Sequence, residues 1–315
     1  MSEPQRAGSP APAPDLPRTT LFGQTFHRLS LEEAAAAVEG FVDARAARVV
    51  AAKNVAVLLE CDQEPGIRAF YERCDLVSVD GRPLVYLSRL TLEPLPEMVG
   101  GPRLWWRVVE TAARRGFSLF LVGGEPGVAD AAAAELRQRF PGLRILGTRD
   151  GRGGVADGGQ AAARAVAETA PDLVLVALPH GLREDFADRL LAGGYAGVCV
   201  LVGGMFDVFA GRRQVAHALV SRLCLEWAYR AAQEPRRLGP RYLREGAAFV
   251  WLLLRRVGAR LSGSTSGQGG PQVADTPGRP RPEEPRHRSQ REVARVDATD
   301  APAGTRPRRR DPTVP

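Results

Sequence analysis

Asp80 is a carboxylate set directly after the short run Leu76-Val77-Ser78-Val79 and directly before Gly81. A carboxylate at the carboxyl end of a strand is well placed as a general base. The competing use is to cap a helix opening near Pro83. Asn54 holds the same kind of position after Arg48-Val49-Val50-Ala51-Ala52-Lys53. Its amide can hydrogen-bond a sugar or a nucleotide, or close an Asx turn. Gly123 and Gly124 follow Phe117–Val122 and precede Glu125-Pro126-Gly127. Free N–H groups there, with the dipole of the next helix, suit an anion such as a diphosphate. The sequence is neither a GxGxxG nor a Walker motif, so a simple βα turn is the alternative. Thr148, Glu184 in the 178–184 loop, and Gly203-Gly204-Met205-Phe206-Asp207 complete the set of strand-end residues. No Asp-x-Asp pair occurs and the four histidines have no metal-ligand spacing. No metal or other cofactor is therefore expected. Departing negative charge falls to arginines and backbone N–H groups.

The elements that must position these residues alternate between apolar strands and helices. Strands are expected at 48–52, 76–79, 117–122, 143–146, 173–177 and 198–202. Helices are expected at 65–73, 104–115, 126–140, 160–169 and 183–191. Ser30 with Glu33 forms a capping box for a helix to about Ala44. Apolar strands of four to six residues between helices predict an α/β, Rossmann-like parallel sheet with helices on both faces. Ligands of such sheets sit outside the carboxyl strand ends. The strand-end residues above should therefore converge on one rim.

From about Val215 the chain becomes helical, basic and aromatic. Residues 222–260 hold nine arginines against three glutamates, most of the chain's net charge of +7. Arg230, Arg237 and Arg241 are candidate diphosphate ligands among them. Pro235 is expected to end one helix and Pro240 to start another. The segment 242–260 has an apolar core flanked by arginines, as interfacial helices do, although an ordinary helix packed on the sheet has the same pattern. Residues 1–18 and 261–315 are too poor in aliphatic clusters to fold. The expected organisation is a disordered N-terminus (1–18), a Rossmann-like domain (19–214), a basic helical membrane-proximal appendage (215–260) and a disordered tail (261–315). The four cysteines lack CxxC spacing and read as reduced core thiols. No signal peptide is evident and no apolar stretch approaches the roughly 20 residues that span a bilayer. A nucleic-acid-binding reading finds no recognition motif, so no nucleic-acid partner is expected.

Several ordered motifs resemble the bacterial WecG/TagA/CpsF glycosyltransferases over about residues 20–257. They are Asp80-Gly81, Leu119-Phe120-Leu121-Val122-Gly123-Gly124, Phe140-Pro141-Gly142-Leu143 with Gly147-Thr148, Gly203-Gly204-Met205-Phe206-Asp207 with Gly211, and Leu225-Glu226-Trp227-Ala228-Tyr229-Arg230 with Glu234-Pro235-Arg236-Arg237. The resemblance implies an inverting, metal-independent transfer from a UDP-sugar donor to a polyprenyl-diphosphate-linked sugar acceptor. It implies a cytoplasmic protein, peripheral on the inner face of the cell membrane, with a homo-oligomer left open. Asp80 matches the family's base, Asn54 the asparagine of its Thr-x-Asn, and Glu184 the glutamate of its Gly-x-Pro-Lys-Gln-Glu. Arginines in 230–244 would stand near the diphosphates. The sequence departs at Ala52 for the Thr, Met98 for the Arg of Glu-Arg-Val, Arg103 for an Asp, Pro179-His180-Gly181-Leu182-Arg183 in the glutamate loop, and Val215-Ala216-His217 for Arg-Ala-Pro. These changes leave the donor sugar open, and with it the alternative of a family member that binds a nucleotide sugar or lipid-linked sugar without catalysis.

Overall fold

Two four-residue strands, β1 (Arg18–Leu21) and β2 (Gln24–His27), pair antiparallel around Phe22-Gly23. They were not anticipated, and Arg18 thus belongs to the fold rather than to an unstructured terminus. The structure is a computed structural model describing residues 14–151, 158–215, 220 and 225–261, with the side chains of Arg230, Arg237 and 256–261 outside that description. Most of both expected tails, and His217, therefore lie outside the described residues.

The capping box forms as expected. Glu33 N–H donates to Ser30 Oγ at 3.3 Å and Ser30 N–H donates to Glu33 Oε2 at 2.7 Å, opening α1 (Leu31–Asp43). β3 (Arg48–Lys53) follows, then α2 (Val55–Gln63), α3 (Pro65–Glu72), β4 (Leu76–Val79), α4 (Arg82–Ser88), α5 (Gly101–Arg115) and β5 (Ser118–Gly123). The chain continues with α6 (Val128–Arg139), β6 (Arg144–Arg149), α7 (Gln160–Thr169), β7 (Leu173–Ala177), α8 (Leu182–Ala192), β8 (Val198–Leu201) and α9 (Met205–Phe209). The C-terminal segment supplies α10 (Glu226–Gln233) and α11 (Pro235–Leu261).

Six strands form one parallel sheet in the order β4-β3-β8-β7-β5-β6. Alternate residues of β3, β4, β5, β7 and β8 enter two cores, as the period of two requires. Leu119 and Leu121 pack with α1, α5, α6 and α9 on one face. Phe120 and Val122 pack with α2, α3, α7 and α8 on the other. A third cluster joins the β1–β2 hairpin, α2, α4 and Leu252 of α11. Cys61, Cys74 and Cys199 are free and buried, and burial pushes the Cys61 thiol up to about 11.

The C-terminal helices depart from expectation. Pro235 opens α11 rather than ending a helix, and Pro240 lies inside it. Proline is tolerated in the first turn, and at the sixth position it removes one hydrogen bond close to the helix start. The helix therefore continues to Leu261.

His27 yields a pH dependence. It is buried, Val77 N–H donates to its Nδ1 at 2.8 Å, and Nε2 has no partner among the described residues. Burial, then the Arg18 charge, lowers its pKa to about 4. Since the folded pKa lies below the unfolded value, the unfolded chain binds the proton more tightly. Stability is then fully retained above about pH 6.5 and falls as pH drops toward 4, by up to roughly 3 kcal/mol from this group. His27→Gln, which keeps an acceptor for Val77, should flatten that acid limb relative to wild type in pH-dependent thermal melts. An equal slope in both proteins would refute the assignment.

Candidate active site

Asp80, Asn54 and Gly203 meet at one end of three neighbouring strands. Lys53 pairs with Val79, so Asn54 and Asp80 stand side by side, and Asp80 N–H donates to Lys53 O at 2.8 Å. β8 flanks β3 on its other side with Val50 opposite Val200, which brings Gly203 level with Lys53.

Asp80 is not at the N-cap position of α4. The N-cap there is Gly81, with no side-chain cap bond. Instead the carboxylate packs against the start of α5. Val99 N–H donates to Val79 O at 3.1 Å, which lays Gly100 and Gly101 over Asp80. A Cβ on Gly100 would fall 2.3 Å from Asp80 Cβ and 2.5 Å from its Cα, so only glycine fits. The fifteen-residue α5 thus directs its positive end at the carboxylate and at the space beside it.

Asn54 caps α2, accepting from Val57 N–H through Oδ1 at 3.0 Å. Its amide Nδ2 remains to donate to a ligand. Lys53, which the sequence reading passed over, anchors this corner. It is fully buried, with Nζ donating to Gln24 Oε1 at 3.3 Å and lying 5.3 Å from the ring centroids of both Phe26 and Tyr71. Burial holds its pKa down. Gln24 in turn donates to Leu58 O at 2.8 Å, tying the hairpin to α2.

Glu184 is buried and both its oxygens are engaged. Gly181 N–H donates to Oε2 at 2.7 Å, while Arg183 Nε and Tyr71 OH donate to Oε1 at 2.8 and 3.3 Å. Arg183, also buried, reaches Tyr71 OH and His180 Nδ1, and His180 contacts Glu60 of α2. Arg183, in place of the family's Gln, and His180 thus tie the loop after β7 to α2 and α3.

Gly123, Gly124 and Thr148 lie further along the rim. At about 4.8 Å per strand, β5 is about 19 Å and β6 about 24 Å from β4. Gly124 N–H, expected to be free for an anion, donates to Ala177 O at 3.0 Å. α6 opens at Val128 rather than Pro126, with Gly127 as N-cap, so its positive end is displaced from the glycine pair. Thr148 pairs with Leu121, below the rim, and its hydroxyl donates to Asp130.

Gly203 and Gly204 lead into α9, whose Met205, Phe206 and Phe209 are buried in the main core. Asp207 pairs with Arg213 at 3.7 Å, and Arg213 pairs with Glu234 at 2.7 Å. That relay joins the rim to the C-terminal helices. A second tie is Arg255 to Asp62 on α2, at 2.8 Å. Between the helices lies a cleft of about 230 Å³, lined by Ala56, Glu60 and Gln63 of α2 and Arg241, Arg244 and Glu245 of α11. Arg241 donates to Glu245, and Ala56 stands two residues from Asn54. Arg230 and Arg237 lie on α10 and α11, with side chains outside the described ones. No described helix is long and apolar enough to cross a membrane.

The chain is similar to known proteins. A protein of Bacillus spizizenii strain W23, named N-acetylglucosaminyldiphosphoundecaprenol N-acetyl-beta-D-mannosaminyltransferase, is 29% identical over 197 residues, covering 62% of this chain and 76% of that protein. A Bacillus subtilis strain 168 protein of the same name is 25% identical over 195 residues, covering 62% and 75%. The model of the glycosyl transferase WecG/TagA/CpsF family matches residues 19–262, from the first strand past the end of α11, and the chain belongs to that family of glycosyltransferases.

Proposed function

We propose that this glycosyltransferase moves a sugar from a UDP-sugar to a saccharide carried on a polyprenyl diphosphate, in the synthesis of a cell-surface polysaccharide or teichoic-acid-like linkage unit. The observation that carries the reading is the Asp80 carboxylate at the carboxyl end of β4, beside Asn54 and under the positive end of α5. The names of the relatives supply the chemical class of acceptor.

Asp80 accepts the proton of the acceptor hydroxyl as that oxygen attacks the anomeric carbon. The bond from that carbon to the diphosphate oxygen breaks, and UDP leaves with the electron pair. A single displacement of this kind inverts the anomeric carbon. The charge developing on UDP falls to Arg230, Arg237 and Arg241 and to N–H groups near Gly203-Gly204, in keeping with a sequence that has no Asp-x-Asp pair. Asn54 Nδ2 orients a sugar hydroxyl. Glu184 acts from within the fold, setting the loop that carries His180. Gly123, Gly124 and Thr148 stand too far from Asp80 for the reacting carbon and belong, in this reading, to the nucleotide end of the donor.

The test is incubation of the full chain with UDP-N-acetylmannosamine and N-acetylglucosaminyl-diphosphoundecaprenol, with and without EDTA. UDP should be released only when acceptor is present, EDTA should not change the rate, and the product should carry the inverted linkage by NMR. Tight binding of the UDP-sugar without UDP release, across a panel of donors, would favour the non-catalytic alternative.

A further inference from the structure

α4 starts two residues after Asp80, and its inner face is core: Leu84 and Val85 are buried. The turn that follows carries two large apolar side chains outward. Leu90 is 77% exposed and Leu92 is 102% exposed. This exposure is held by the backbone. Leu90 N–H donates to Leu87 O at 3.1 Å and Thr91 N–H to Ser88 O at 2.9 Å. The Thr91 hydroxyl donates to Ser88 O at 2.6 Å. Ser88 is fully buried, and its hydroxyl donates to Val85 O at 2.7 Å and accepts from Leu95 N–H at 2.9 Å. The leucines therefore project from a tied turn rather than from a loose loop.

α11 repeats the arrangement. Leu252 is buried in the same cluster as Leu84 and Val85, while Val250, Trp251 and Leu254 point outward at 54%, 66% and 61% exposure. Two elements with joined inner faces thus each carry unpartnered apolar side chains on the outside. The surrounding charge is positive. Residues 82–96 hold Arg82 and Arg89 against Glu93 alone, and Arg89 lies over the Tyr86 ring at 5.1 Å. Exposed Arg89, Arg236 and Arg244 have no carboxylate partner among the described residues. Exposed apolar side chains on elements that also carry exposed arginines complement an anionic bilayer, where the leucines enter the acyl boundary and the guanidinium groups meet phosphate.

We propose that the Leu90–Leu92 turn is a lipid-inserting contact, which together with the outward face of α11 docks the protein on an anionic bilayer. A single interfacial helix leaves the protein free to roll about the helix axis. A second contact on another element removes that freedom. Because the turn belongs to the segment that leaves β4, it fixes the Asp80 end of the rim relative to the lipid surface. Its use in delivering a lipid-linked acceptor rests on the function proposed above, but the binding itself does not.

The test uses the full chain and vesicles free of donor and acceptor, one set of phosphatidylcholine and one of phosphatidylcholine with phosphatidylglycerol. Leu90→Ser/Leu92→Ser should weaken co-sedimentation with both by at least about tenfold, since the two buried leucines contribute apolar area in either lipid. That fold-loss should not change with salt, and the thermal melt should match wild type because neither side chain packs in the fold. Trp251→Ser should add a further loss. Binding within about twofold of wild type overturns the proposal. So does a lipid-free oligomer, seen by sedimentation, that the double variant dissolves without loss of vesicle binding, for the turn would then serve a second copy of the chain. Turnover of a short-chain, water-soluble acceptor should be unaffected by the double variant, which separates this test from that of the reaction.

Discussion

Asp80→Asn should lower turnover by about two to four orders of magnitude, the range that general-base catalysis supplies. Asparagine keeps the size of the side chain and an acceptor oxygen, so the contact with Gly100 and Gly101 survives and the rim keeps its shape. What is lost is the capacity to take a proton from the acceptor hydroxyl. Donor binding draws on other groups, so the thermal shift produced by UDP should be nearly that of wild type. The two readouts together locate the effect in the chemical step. Near-full turnover in the variant would remove Asp80 from the role of base, and a lost UDP shift would make it a binding residue. Gly81, rather than Asp80, occupies the N-cap position of α4.

The rim was legible in the sequence because it follows from period alone. β7 and α7 have the bounds expected from their apolar pattern, and the strand ends at Asn54, Asp80 and Gly203 converge as the α/β alternation requires. α2 was missed for a physical reason. Val55-Ala56-Val57-Leu58-Leu59 shows no polar face, because the sheet, the hairpin cluster and α11 cover it on several sides. The β1–β2 hairpin was missed because its strands, Arg18-Thr19-Thr20-Leu21 and Gln24-Thr25-Phe26-His27, are mostly polar and lack the apolar run by which the sheet strands were read. Asn54 was read at the right place with both of its uses in view, and the missed helix explains why the cap prevails for its oxygen. The buried network of Lys53, Tyr71, Arg183 and Glu184 could not be read from spacing, since Tyr71 lies 112 and 113 residues from Arg183 and Glu184 and meets them only through tertiary packing. Within it, the carboxylate that resembles a substrate ligand is engaged by the protein itself. Two of its donors come with departures from the family's Gly-x-Pro-Lys-Gln-Glu: Arg183 stands where the Gln would be, and Gly181, in place of the Pro, supplies an N–H that proline lacks.

Gly123→Ala should be the most destabilising of the small substitutions at the rim. Its φ is +124°, in the region that favours glycine, and a Cβ there would lie 2.3 Å from Ala177 O and 2.4 Å from its carbonyl carbon. The obstacle is the backbone of β7, which is paired on both sides and cannot rotate away. Strain and overpacking each cost on the order of 1–3 kcal/mol, so the sum is roughly 2–6 kcal/mol. For a domain of this size that corresponds to a fall in Tm on the order of 10 °C. Gly127→Ala separates the two causes. Gly127 has φ of +78° with nothing within 4 Å of its added Cβ, so alanine there carries the backbone strain alone, about 1 kcal/mol. Thermal melts should therefore rank Gly123→Ala well below Gly127→Ala. Equal losses would mean that the contact between β5 and β7 yields freely. The glycine pair would then be explained by conformation alone rather than by the close approach that also consumes the Gly124 N–H.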